Sequence, residues 1–169
     1  MVSFSEGLIM RVFLLDACFV INLLNEGCPF HKEAYDFFVR LSSDKDVILK
    51  ISTVAISEYA IKGDTALLPP NIQRLAFNFT HAVKSGRFGQ AYKQCLAVAK
   101  DSHRAIVLND VKMFAQAEVE GITHFITADH KIRRTYNELY NAGLVSFKFV
   151  DITQETYAAY FGELEFDVE

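Results

Sequence analysis

Apolar residues run unbroken from Val12 to Leu15 and stop at Asp16, the pattern of a short strand buried on both faces. Ala17 to Leu24 predicts a short helix after it. A second helix begins at Cys28-Pro29, since Ala34, Phe37, Phe38 and Leu41 recur at helical spacing. Val47 to Ile51 predicts the second strand, with Ser52 or Thr53 capping the helix that follows. On that helix Glu58 shares a face with Val54 and Ile61, so a carboxylate is predicted to turn inward with them.

Gly63 to Pro70 predicts a loop. Beyond it, Ile72, Leu75, Ala76, Phe79 and Val83, then Phe88, Ala91, Tyr92, Cys95 and Ala99, give two apolar stripes. Ser85-Gly86-Arg87-Phe88-Gly89 between them predicts the turn of a helical hairpin. Asp110 is predicted to open a helix carrying Val111, Phe114, Ala115 and Val119 and closed by Gly121. His124 to Thr127 reads as a strand delivering Asp129, and Ile132, Tyr136, Leu139 and Tyr140 as the helix after it. Val145 to Phe149 alternates apolar and polar, as an edge strand does, and a last short helix follows Thr153. Strands alternating with helices predict an α/β fold, a three-layer α/β/α sandwich on a mainly parallel sheet, with ligand sites at the carboxyl ends of the strands.

With 169 residues, 51% of them apolar, the chain suits one domain with a full core. Residues 1–9 are expected to be a disordered extension, and residues 163–169 a frayed acidic tail. Neither a signal peptide nor a membrane span is expected, because Glu6, Arg11 and Asp16 interrupt the early apolar stretch. Three scattered cysteines without paired spacing predict reduced thiols and a cytoplasmic location. The net charge is −4, yet Lys62 to Arg134 holds eleven basic residues against six acidic ones. A polyanion would meet that middle segment.

Four acids fall at element ends: Asp16, Glu58, Asp110 and Asp129. Each Asp precedes a helical segment and has an ordinary use as an N-cap; Glu58 has none. If they converge, each close pair repels by roughly 4 kcal/mol in a surface-like dielectric, and the hard oxygens suit Mg²⁺ or Mn²⁺. Lys62, Lys131, Arg133 and Arg134 lie near Glu58 or Asp129 in sequence and are candidates for phosphate contacts. His130 is a weaker candidate acid or base, since metal-bound water needs no histidine.

In order along the chain, Leu14-Leu15-Asp16 with Asn22, Ser57-Glu58, Asn109-Asp110 with Met113, Ala115 and Ala117, and Ile126-Thr127-Ala128-Asp129 resemble the PIN-domain nucleases. The resemblance runs from Arg11 to about Ile152. It implies a Rossmann-like sheet and a Mg²⁺- or Mn²⁺-dependent ribonuclease in which Asp16, Glu58, Asp110 and Asp129 bind metal, Thr127 and Asn22 support them, and hydrolysis leaves a 5′-phosphate and a 3′-hydroxyl. Small PIN proteins of this length are often the toxins of VapBC toxin–antitoxin pairs, which implies RNA as substrate, a protein antitoxin and a homodimer. The chain departs from the pattern at Ala17 and Cys18, where a hydroxyl or amide is usual, and Asn22 stands for a frequent Asp.

Other readings are open. A receiver-type phosphoacceptor would need an acid pair and a late-strand Lys, for which no good match exists. An Asp-x-Asp phosphatase is disfavoured by Cys18, which sits where the second Asp belongs. The main rival is a PIN-like scaffold that binds RNA or protein without cutting.

Overall fold

The computed structural model describes residues 10–96 and 104–162; the expected extension at 1–9, Ala99 and the acidic tail at 163–169 lie outside them. Five strands, β1 (Arg11–Leu15), β2 (Val47–Ser52), β3 (Gln73–Leu75), β4 (His124–Thr127) and β5 (Lys148–Asp151), form one parallel sheet in the order β3-β2-β1-β4-β5. The helices are α1 (Ala17–Leu24), α2 (His31–Ser43), α3 (Thr53–Tyr59), α4 (Phe79–Leu96), α5 (Arg104–Val119), α6 (Ile132–Asn141) and α7 (Tyr157–Phe161). From β1 the chain moves outward to β2 and β3, then returns to lay β4 on the other side of β1. The reversal leaves a switch point between β1 and β4, where parallel α/β sheets open a crevice at the strands' carboxyl ends.

Four expectations need correction. The glycine turn is absent: α4 runs through Gly86 and Gly89 without a break. Two helical glycines cost about 1 kcal/mol each, and burial of Phe88 and Tyr92 outweighs that, so the helices that pair are α4 and α5. Gln73–Leu75 is an edge strand beside β2 instead of a helical turn. Asp110 lies inside α5, which already includes Arg104, so it is not an N-cap. Ile61, predicted inward, falls beyond the end of α3 and is 77% exposed. Gly121 does close α5, with φ +62° in the left-handed region that favours glycine.

Aromatic rings fill the layer between the sheet and its helices. Phe114 of α5 meets Phe125 edge-on at 4.8 Å and Phe147 at 5.5 Å. On the other side, Phe13 stacks on His124 at 4.3 Å. Thr123 Oγ1 lies within hydrogen-bonding distance of both the Val12 carbonyl, at 3.0 Å, and His124 Nδ1, at 2.8 Å. Burial first, then Lys148 and Arg11, lower the His124 pKa to about 4. A free histidine titrates near about 6.5. The unfolded chain therefore takes up a proton that the native state refuses, and stability should fall as pH drops from about 6.5 to about 4, by on the order of 1–2 kcal/mol once solvent screening is discounted. Urea unfolding across that range should show a flatter profile for His124→Gln; parallel profiles would rule the histidine out.

Candidate functional site

Asp16 leaves β1 at the switch point. Its backbone N–H continues the ladder by donating to the Ile126 carbonyl at 3.0 Å, and its side chain caps α1 by accepting from Ala17 N at 2.7 Å. Its other oxygen accepts the Thr127 hydroxyl at 2.7 Å. Only 4% of Asp16 is exposed. The same Thr127 oxygen accepts the Asp129 N–H at 3.0 Å, and Asp129 Oδ1 accepts from Lys131 N at 2.9 Å. One buried hydroxyl thus fixes the two acids on either side of the switch point. Glu58 arrives from α3 and accepts from Asn109 Nδ2 at 2.6 Å. Asp110 follows Asn109 on α5.

These acids feel one another. Burial first, then Asp16, Glu58 and Asp129, push the Asp110 carboxyl up to about 8. Asp16 is pushed up to about 6, mainly by burial, with Glu58 and Asp129 adding to it and the hydrogen bonds from Thr127 and Ala17 opposing. Burial also raises the Cys18 thiol, and all four acids raise it further. Cys18 therefore lies within the field of all four.

The donors are hard oxygens, which fit Mg²⁺ or Mn²⁺ in kind. Among the described residues, however, no group of three or more His, Cys, Asp or Glu side chains stands arranged to hold a metal ion. The mutual electrostatic influence of the acids places them near one another, and protein donors fix three of them: Ala17 and Thr127 hold Asp16, Asn109 holds Glu58, and Lys131 N holds Asp129.

Of the other predicted site residues, Thr127 joins the acids and Asn22 does not. The Asn22 amide donates to the Cys18 carbonyl and accepts from Phe30 N, tying α1 to the start of α2. Arg133 lies 3.5 Å from Asp151 and 3.9 Å from Glu155, over the Phe149 ring; it straps α6 to β5. Lys131, His130 and Arg134 are exposed near Asp129. Lys62 lines a groove of about 510 Å³ that also includes Glu58, Ile21, Leu24, Ile61 and Leu67. Sequence reading missed Asn109 and Lys112. The signal was present, since both lie in the polar stretch around Asp110, but their contacts are made in the fold.

No family model matches the chain, and no curated protein does. Among solved structures, it superposes on VapBC2 from Rickettsia felis bound to a DNA fragment from its promoter, with a TM-score of 0.59 at 12% identity, over 83% of this chain and 98% of the other. FitAcB from Neisseria gonorrhoeae superposes with a TM-score of 0.55 at 15% identity, over 85% and 99%. The chain has a PIN-like fold. In this PIN-like frame the four acids reach one end of the sheet from two strand ends and two helices. Among the described residues no helix is long and apolar enough to cross a membrane.

Proposed function

We propose that the protein is a metal-dependent endoribonuclease, with Asp16, Glu58, Asp110 and Asp129 as the residues that would hold Mg²⁺ or Mn²⁺. The observation that carries this reading is the gathering of these carboxylates at the switch point, with Asp16 buried and the other three partly buried, close enough that their charges raise the pKa of Asp16 and Asp110, a charge that a divalent ion would neutralise. A bound ion of this kind supplies Lewis acidity toward a phosphate and a water of lowered pKa. The chain's own part is positional. Thr127 and Ala17 hold Asp16 in one rotamer, Thr127 sets the turn that carries Asp129, and α5 places Asp110. Lys62 and Lys131, exposed beside Glu58 and Asp129, would meet the RNA backbone.

The partner this site suits is a protein antitoxin. The groove beside Glu58 exposes Ile21, Ile61 and Leu67, so an apolar segment seated there could direct a cation at the acids. The solved structures that share the fold include VapBC2, crystallised with promoter DNA. A homodimer would use the apolar face of α4, where Phe79 is 83% exposed next to Val83.

Purified protein incubated with structured RNA should cleave it in Mg²⁺ or Mn²⁺, leave 5′-phosphate ends, and do nothing in EDTA. Equal traces in all lanes would remove the nuclease. The alternative is a PIN-like scaffold that binds RNA or protein without cutting, a reading favoured by acids that do not stand in a ligating arrangement.

A further inference from the structure

Glu58 is the acid that sits on the shortest support. It comes from the seven-residue helix α3, one residue before its end, and its side chain has three freely rotating bonds. What holds it is a residue 51 positions away: Asn109 Nδ2 donates to Glu58 Oε1 at 2.6 Å. The Asn109 amide is itself held, because Lys112 Nζ donates to Asn109 Oδ1 at 3.2 Å, from one turn further along α5. Turned over, the amide would set oxygen against carboxylate and nitrogen against ammonium. Only the observed orientation makes both contacts attractive, so Lys112 selects the face that Asn109 offers to Glu58.

From this relay we infer that Asn109 is a positioning residue for Glu58, with Lys112 fixing its amide, so that α5 supplies one metal ligand, Asp110, and aims a second that belongs to another helix. The inference rests on the metal reading above. A charge-assisted hydrogen bond occupies Oε1, and among the described residues no hydrogen bond claims Oε2. Glu58 is thereby presented as a ligand through one defined oxygen.

Mn²⁺ binding to the full-length protein, followed by calorimetry, tests this without reference to cleavage. Asn109→Ala should weaken Mn²⁺ by about 10-fold, the lower end of what removing a ligand's supporting partner costs, and excess Mn²⁺ should restore RNA cleavage. Lys112→Met, which loosens the amide without touching Glu58, should weaken Mn²⁺ by about 3-fold in the same direction. Because Asn109 acts through Glu58, adding Asn109→Ala to Glu58→Ala should cost nothing more. An unchanged affinity in Asn109→Ala, or an equal loss in the Glu58→Ala background, overturns the positioning role while leaving the metal site intact. If wild type itself fails to bind Mn²⁺, the metal reading falls and the role of Asn109 falls with it.

Discussion

Asp110→Asn is expected to lower metal-dependent RNA cleavage by at least about 100-fold, equivalent to about 2.7 kcal/mol of lost transition-state stabilisation, while making the metal-free protein more stable. Both effects have one cause. The Asp110 carboxyl is partly buried, and that burial first, then the charges of Asp16, Glu58 and Asp129, raise its pKa to about 8, against about 3.9 for an unfolded aspartate. The folded state therefore resists ionisation there: its stability is whole below about pH 4 and is lost as pH rises through about 8. Asparagine keeps the shape and removes the charge. In EDTA at pH 8 the variant should melt roughly 4–8 °C higher, which is about 2 kcal/mol for a chain of this size. Mg²⁺ should then raise the melting temperature of wild type more than that of the variant, since a ligand that binds only the folded state stabilises it. A variant that cuts RNA normally, or melts with wild type in EDTA and responds equally to Mg²⁺, would show that Asp110 is an ordinary helix residue.

Phe114→Ala carries the largest expected stability loss. Phe114 is fully buried, and its ring meets Phe125 on β4, Phe147 ahead of β5 and Tyr136 on α6. Truncation leaves a cavity that rigid neighbours cannot fill, at a cost of about 3–5 kcal/mol. Denaturant unfolding should report that loss with little change in slope. Val83→Ala on the exposed face of α4 should stay within about 0.5 kcal/mol. A loss below about 1 kcal/mol at Phe114 would mean that α5 is not anchored through this ring, and α5 is the helix that carries Asn109 and Asp110.

Central strands were legible because a local pattern encodes them. The run Val12 to Leu15 could only be a strand buried on both faces, and Glu58 stood out as an acid among apolar neighbours. Elements decided by tertiary packing were not legible. Gln73–Leu75 has only three residues, two of them exposed, so periodicity assigned it to a helix, whereas pairing with β2 makes it a strand. Gly86 and Gly89 look like a turn until the helix around them is packed. Asp110 follows the apolar run Ala105 to Leu108 and has the residue type of a helix cap, so pattern alone reads it as the beginning of a helix that already includes Arg104. The contact of Asn109 with Glu58 crosses between helices, and no spacing rule reaches that far.

The clasp between Thr127 and Asp16 joins residues 111 positions apart. On the ribosome, Asp16 and Glu58 emerge early, but the hydroxyl that fixes Asp16 and the acid beyond it arrive only when most of the chain has been made. A strand that must insert beside β1 so late is a slow, non-local closure. On the reading proposed above, the nascent polypeptide is harmless to the message that encodes it, and the ability to cut appears only with the finished molecule.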